Sequence, residues 1–401
     1  MNDAPLFTPE QLWMPDFIAD PYPTYHHLRA HSPLPFIRLP GDTITGMPGP
    51  LWAWALMKHD DVSSALRDHA TFASRGDSLT GKAFPRLALL HDDPPRHTHL
   101  RRLVNHTFTL KRIEALTPWI HSVAHALLDA IGTGEVDVVS SYTIPLPIQV
   151  IARLLGIPGE EYLTFKRWSD ALMATNCLSS EERDQSNQEM MAYFGRMASH
   201  RRARGADDLI TALVEAEVEG ASLTEEDILG FCVLLLVAGN ETTTHLLGNL
   251  LHLLVDRPAL WQQLREERHL VEAVIEETLR YASPVQRLFR HTTQAVQVSG
   301  VSIPAGADVA LFYGAANRDP AVFPQPDEFR LDRDFRRHVA FGSGIHYCLG
   351  APLARAEATI TLNAFLDRFA KITRGNAPAT RQTAGALVYG LQQLPLVLTP
   401  A

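Results

Sequence analysis

The strongest regularity in this chain is helical. Between residues 222 and 255 apolar side chains recur every three or four positions, Ser222 with Glu225 three residues on forms a capping box, and the spacing predicts one helix ending near Val255. At 1.5 Å per residue it is ~50 Å long, enough to cross a whole domain. The same period runs from Val271 to Tyr281, where Ser283-Pro284 ends it, and from Ala351 to about Phe369, with Pro352 in the first turn. From Pro118 to about Arg204 it holds, with breaks at Gly132, at Gly156-Ile157-Pro158 and around Leu178 to Ser180. Inside that stretch Leu163 to Asn176 is amphipathic, which suits either a mobile helix pair over a pocket or ordinary packed helix.

Strand patterns are fewer and shorter. Leu34 to Leu39 and Leu51 to Leu56 are apolar runs bounded by proline and glycine, Leu288 to Val301 alternates as a hairpin does, and a last pair of strands is predicted around Gly385 to Leu398. Ten of the 27 prolines fall in residues 1–50, so turns are expected there, with one early helix opened by Asp20-Pro21 and another near Asp60 to Arg67. Residues 75–90 show no period and read as a long loop, in which Arg75-Gly76-Asp77 is a chance tripeptide, and Gly314 to His338 is irregular. The sum is a mainly α chain with a small β-sheet region, read as one domain over residues 1–401.

Composition narrows the function. An apolar fraction of 46% supports a sizeable core, and a net charge of -9 argues against nucleic acid as a partner. The longest uninterrupted apolar run, Phe231 to Ala238, is far short of the ~20 residues that span a bilayer, so no membrane span is expected. The N-terminus lacks the basic start and apolar run of a secretory signal, and a cytoplasmic enzyme is expected. Cys177, Cys232 and Cys348 are too few and too far apart for a disulfide framework or a cysteine-rich zinc site; Cys232 reads as core and Cys177 as partnerless.

Four places carry chemistry. The loop Phe341-Gly342-Ser343-Gly344-Ile345-His346-Tyr347-Cys348-Leu349-Gly350 sets a cysteine just before a helix N-terminus, where backbone N–H groups favour the thiolate and so a metal. The long helix breaks its apolar pattern at Ala238-Gly239-Asn240-Glu241-Thr242, where a glycine costs ~1 kcal/mol and an unpaired buried carboxylate more. Leu235, Ala238, Gly239, Thr242 and Leu246 share a face with Glu241 ~100° away, so Thr242 faces whatever Gly239 makes room for, or is an alcohol back-bonded to its own helix. Asp93-Pro94-Pro95 opens a helix that puts His97 and Arg101 on one face, as an anion clamp or as a solvated basic surface. Glu277 and Arg280 lie at i, i+3 on the helix that Pro284 ends. His121 and His125 have zinc-ligand spacing but no third ligand, and read as surface residues.

Together and in this order, these motifs resemble the bacterial cytochrome P450 family. The likeness runs from about His91 to Leu396, and its most specific part is the cysteine loop. It implies a roughly triangular helical fold holding haem b between the long helix and that loop, with Cys348 as the axial thiolate, an arrangement known to favour O–O cleavage. It assigns Ala238, Gly239, Phe341, Gly342 and Gly350 to the haem pocket, His97, Arg101, Arg290 and His346 to its propionates, and Glu277 with Arg280 to a buried structural pair. Glu241 and Thr242 become the acid and alcohol that deliver protons to bound O2.

By the family's layout Leu89, Leu235, Ala238, Val285, Leu288 and the turn Leu387-Val388 line an apolar pocket, which implies a lipophilic small molecule as substrate. The resemblance further implies hydroxylation or epoxidation, with electrons from a separate ferredoxin and its NAD(P)H-dependent reductase, since no flavin or iron–sulfur pattern is present. Arg101, Arg102, Lys111, Arg112, Arg333, Arg336, Arg337 and His338 then form a basic dock on the cysteine side. The rivals are a haem-thiolate enzyme that is peroxide-driven or of non-oxygenase type, a non-catalytic haem sensor, and a hydrolase on Ser343, whose surroundings lack the G-x-S-x-G frame.

Overall fold

A computed structural model describes residues 14–32, 34–39, 51–74, 87–107, 109–158, 161–173, 179–218, 221–383 and 387–401. Cys177, the tripeptide at 75–77 and most of the long loop lie outside the described residues.

Two short helices open the chain, α1 (Pro15–Ala19) and α2 (Tyr22–His31), so Pro21 caps the second where a single helix was expected. Strands β1 (Phe36–Leu39) and β2 (Leu51–Leu56) follow, then α3 (His59–Arg67), β3 (Phe72–Ala73) and α4 (Arg96–Thr107). Helix α5 spans Leu110–Ile131 with Pro118 inside it, because the Thr109 side chain accepts the Arg112 N–H and starts the helix two turns before the proline. Beyond β4 (Gly134–Asp137) and one π-helical turn, α6 (Pro145–Leu155) ends at Gly156 in the left-handed region. Then come α7 (Tyr162–Met173), α8 (Ser180–Ala203), α9 (Leu209–Val214) and the two-residue pair β5 (Glu217–Val218) and β6 (Ala221–Ser222).

The long helix is α10 (Glu225–Val255). Ser222 is not its cap; it pairs with Glu217 in the small ladder. Thr224 caps instead, its hydroxyl accepting the Asp227 N–H at 3.1 Å while the Asp227 carboxylate accepts the Thr224 N–H at 3.2 Å. Leu246, Leu247, Leu250, Leu251 and Leu254 are all buried, each worth about 1.5–3 kcal/mol, and they centre the largest apolar cluster, which reaches from Leu87 to Leu398. Among the described residues α10 is the one helix long and apolar enough to cross a bilayer, yet it lies mostly buried inside this core.

The rest of the chain wraps this axis. Helices α11 (Pro258–Glu266) and α12 (Val271–Tyr281) lead to strands β7 (Leu288–Thr292), β8 (Val296–Val298), β9 (Val301–Ile303) and β10 (Asp308–Leu311). A single turn α13 (Tyr313–Ala316), the closing helix α14 (Ala351–Arg368) and strands β11 (Phe369–Arg374), β12 (Thr380–Arg381), β13 (Leu391–Gln393) and β14 (Pro395–Pro400) complete it. The larger sheet has the order β1-β2-β10-β7-β3, with β10 parallel to β2 and the other pairs antiparallel; β11-β14-β4 form a second. Helix α10 packs against α6, α7, α8 and α14, while the cysteine loop runs into the start of α14, so the two ends of the candidate site rest on rigid elements.

Candidate active site

Tight turns shape the cysteine loop. Gly342 and Gly344 have φ of +69° and +71°, and a Cβ on Gly344 would stand 2.5 Å from the Leu66 carbonyl, so only glycine lets the loop lie on the end of α3. The Cys348 N–H donates to the Phe341 carbonyl at 3.0 Å, closing the loop, and the sulfur lies 3.9 Å from where a Cβ on Gly350 would be. Helix-terminus physics alone does not make this thiol acidic. Burial pushes it up, and the lowering by the Gly350 N–H, by Arg101 and by the Ala351 N–H does not offset that.

Four basic side chains gather beside the loop. Arg101 donates to the Tyr347 carbonyl at 2.9 Å, and the His97 and His346 rings lie 4.4 Å apart. Ser74 Oγ meets His346 Nε2 at 2.9 Å, and Asp93 stands 3.9 Å from the same nitrogen. Arg290 is buried, its guanidinium donating to the Phe289 carbonyl at 2.7 Å. Burial drives His97 down to about 4, and the like charges of His346 and Arg101 add to it. His97 Nε2 is buried with no hydrogen-bond partner among the described residues. Two guanidinium cations beside an orphaned buried imidazole nitrogen fit a dianion such as the two propionates of a haem.

The middle of α10 is open on one face. Ala238 is exposed and Thr242 half-buried, between long buried stretches on either side. Thr242 Oγ donates back to the Ala238 carbonyl at 2.5 Å. Gly239 does not make room on this face; a Cβ there would meet Ile151 Cδ1 of α6 at 2.5 Å, so the glycine permits helix packing. Glu241 is buried and turned toward α7, where Lys166 Nζ lies 3.3 Å from Oε1 and Lys166 also binds Asp170. His245, one turn on, lies 3.7 Å from Oε2. Thus Thr242 and Glu241, ~100° apart on the helix, serve different sides of it, and Lys166 and Asp170 are neighbours that periodicity did not reveal.

The pair Glu277 and Arg280 lies inside the fold. Both side chains are fully buried and joined by two bonds of 2.7 Å, while Arg280 also donates to the Asn317, Pro326 and Glu328 carbonyls. Arg330 N–H and Arg333 Nε complete the Glu277 carboxylate at 2.8 and 3.2 Å. Helix α12 therefore clamps the irregular segment that leads to the cysteine loop. A second knot was not legible: Glu276 takes Arg355 at 2.6 and 3.0 Å and His338 at 2.9 Å. Burial alone would raise the Glu276 carboxyl, but those bonds hold it down at about 2. Arg355 in turn stacks 4.5 Å over the Phe341 ring. These residues line a cleft of about 680 Å³ beside the loop, with Phe335, Arg336 and Tyr347.

The expected dock is smaller than the sequence implied. Arg333 and His338 are buried and committed to Glu277 and Glu276, whereas Arg102, Lys111, Arg336 and Arg337 are exposed. Of the pocket candidates, Val285 and Val388 meet in an isolated bridge and Leu387 accepts the Gln286 N–H at 2.8 Å. Leu235 and Leu89 belong to the core around α10, while Leu288 packs in a smaller cluster under the sheet. Leu89 adopts φ +71°, a strained conformation for leucine, with its N–H held by Asp92 at 2.9 Å. Asp92 binds Arg96, which also reaches Asp227 at the α10 cap, so the turn at Leu89 is tied to the long helix. His121 and His125 are exposed on α5, with their rings 6.5 Å apart. Cys232 is buried core.

Known proteins agree with this geometry. The cytochrome P450 family model matches residues 148–396. A cytochrome P450 monooxygenase, PikC of Streptomyces venezuelae, is 36% identical over 95% of this chain and 92% of its own. The mycinamicin IV hydroxylase/epoxidase of Micromonospora griseorubida is 38% identical over 86% of this chain and 89% of its own. The crystal structure of CYP109E1 from Bacillus megaterium in complex with corticosterone superposes with a TM-score of 0.84 at 35% identity, covering 96% of this chain and 99% of that one. The family implies haem as the cofactor, and the orphaned His97 nitrogen, the two guanidinium cations and the open face at Ala238 suit it. With motif, fold and relatives in accord, this chain belongs to the cytochrome P450 family and is a monooxygenase.

Proposed function

We propose that this enzyme inserts one oxygen atom of O2 into a lipophilic small molecule, by hydroxylation or epoxidation, with haem b ligated by Cys348. The observation that carries the reading is the open, half-polar face at Ala238 and Thr242 in the middle of the long helix. Bound haem supplies O2 activation; protein residues supply position and protons. His97, Arg101, Arg290 and His346 would hold the propionates, Phe341, Gly342 and Gly350 would shape the loop side of the pocket, and Ala238 would face it from the long helix, where Gly239 instead admits Ile151 of α6. Leu89, Leu235, Val285, Leu288, Leu387 and Val388 would exclude water around the substrate, consistent with a neighbour whose crystal holds corticosterone. The whole chain acts as one domain in this reading, in a cytoplasmic setting.

In this mechanism Thr242 Oγ orients a proton donor toward the open face, and Glu241 collects protons on the α7 side and passes them inward. Thr242→Ala is expected to keep the haem spectrum while peroxide rises at the expense of product, by about tenfold in the product-to-peroxide ratio. Peroxide and product measured per NAD(P)H decide it, and tight coupling in this variant overturns the assignment. The Lys166 contact that turns Glu241 away favours a second reading, peroxide-driven chemistry without a relay, and product formed from added hydrogen peroxide in the absence of NAD(P)H would support that one.

Electrons come, in this proposal, from a ferredoxin and an NAD(P)H-dependent ferredoxin reductase. Arg101 reaches the Tyr347 carbonyl and Arg336 lines the cleft beside Tyr347, so both basic segments border the cysteine loop. Arg102→Glu or Arg337→Glu should slow ferredoxin-driven reduction roughly tenfold at low salt and little at high salt, as electrostatic steering requires. Stopped-flow reduction unchanged at low salt would remove the dock.

A further inference from the structure

Two buried polar groups near the site have no part in the scheme above. His245 is closed in, since the Gly390 backbone packs on its ring and a Cβ there would fall 1.9 Å from Nδ1. The other is the knot of Glu276, His338 and Arg355 behind the cysteine loop. Its carboxylate is nearly out of water, with the Glu276 side chain 12% exposed and that of His338 4%. A charge that costs this much to bury is informative through what it is aimed at, because ion pairs of this kind add little to stability.

Each member of the knot is fixed in orientation. His338 Nδ1 accepts the Ala340 N–H at 3.2 Å, so the ring carries its proton on Nε2 and donates it to Glu276 at 2.9 Å. The rest of the carboxylate takes the Arg355 fork, Nε at 2.6 Å and Nη2 at 3.0 Å. The third nitrogen, Nη1, reaches the Tyr347 hydroxyl at 3.3 Å. Held by these bonds, the guanidinium stands 4.5 Å over the Phe341 ring. Phe341 opens the loop and Tyr347 precedes the cysteine, while the Phe341 carbonyl accepts the Cys348 N–H at 3.0 Å. A cation set on both ends of the loop is thereby set relative to the sulfur. Burial raises the Cys348 thiol, and Arg355 is among the cations whose field works against that. Of the two charges, Arg355 is the one that touches Phe341 and Tyr347, and Glu276 stands behind it.

We propose that Arg355, anchored by Glu276, is a positioning residue for the cysteine loop that sets how strongly the Cys348 sulfur donates to iron, an inference that rests on the reading of Cys348 as the haem ligand. The pair is a dipole with its positive end on the loop. A cation beside a thiolate holds back its electron density and favours the reduced centre, which carries one more negative charge. A carboxylate behind that cation weakens the effect. The two members therefore push the reduction potential in opposite directions, although each is the other's partner. Loss of packing does not act this way, because breaking one contact from either side disturbs the same loop in the same sense.

The midpoint potential of the haem-loaded enzyme at pH 8 tests this, with haem content and the thermal midpoint as fold controls. Arg355→Gln is expected to lower the equilibrium constant for one-electron reduction about threefold, ~28 mV at ~59 mV per tenfold, and Glu276→Gln to raise it by a similar factor. Glutamine at 276 keeps an acceptor oxygen for Arg355 Nε, so the cation stays in place while the carboxylate charge goes. Arg355→Lys keeps the charge and loses the fork, and should recover at least half of the Arg355→Gln shift. The double variant lacks the whole dipole and should fall between the two single ones. Both single variants moving the same way, or neither moving, overturns the proposal, as does a lysine variant no better than glutamine. Should Arg355→Gln fail to hold haem, the sign in Glu276→Gln decides, and a fall there overturns it. The reduced carbon monoxide band of the parent is read first. Without a thiolate signature there the ligand reading fails and takes the proposal with it, whereas a thiolate band with unmoved potentials removes the role of the pair alone.

Discussion

Cys348→Ser is expected to abolish O2-dependent product formation and to erase the thiolate signature from the reduced carbon monoxide spectrum. The Cys348 N–H bond to the Phe341 carbonyl and the glycine turns at 342 and 344 belong to the backbone, so serine keeps the loop's shape. What it loses is a sulfur able to ionise against a metal. The free thiol is already pushed up by burial, and a serine hydroxyl is several units weaker as an acid, so the variant offers iron at best a neutral oxygen. Loss of electron donation to iron removes the assistance to O–O cleavage, and with it the activity. Haem content and the carbon monoxide difference spectrum, taken together, separate loss of ligand from loss of haem. A variant with the parent's spectrum would mean that another residue holds the iron.

Arg280→Ala should remove about 3–5 kcal/mol of stability, because Glu277 would stay buried with its main partner gone. Against a total of ~5–15 kcal/mol for a folded chain, that loss leaves the protein aggregated or unable to retain haem. Three main-chain carbonyls, of Asn317, Pro326 and Glu328, would be orphaned with it. Lysine is no remedy, since a single ammonium cannot reproduce both bonds of 2.7 Å to Glu277 and still reach those carbonyls. Glu277→Gln keeps the shape and loses the charge, and should fall between the two. Urea midpoints and haem retention on a sizing column decide the order, and an unshifted midpoint in Arg280→Ala would contradict the clamp.

The difference between what was legible and what was not follows from sequence distance. Helix α12 was read to the residue because its apolar period and its terminating Ser283-Pro284 are local signals. Helix α5 was not, because Pro118 reads as a start, while the Thr109 cap upstream of it is a weaker mark. The cap of α10 was misplaced by two residues because Ser222 and Thr224 each precede an acidic residue at the right spacing, and only the pairing of Ser222 with Glu217 decides between them. Glu277 with Arg280 is visible as an i, i+3 pair. Glu276 with Arg355 joins residues far apart in the chain, and no periodicity shows it. The same holds for Lys166 and Glu241, whose contact turns the carboxylate toward α7.

The contact between Gly390 and His245 also bears on how this scaffold tolerates change. With 1.9 Å between the imidazole and the place of a missing Cβ, the two positions share one volume and act as a single character. Randomised separately, position 390 would look invariant, because any gain there collides with the ring. Randomised jointly, they open a family of exchanges in which a small residue at 245 licenses a larger one at 390. A library that treats the chain as independent letters would miss that route altogether.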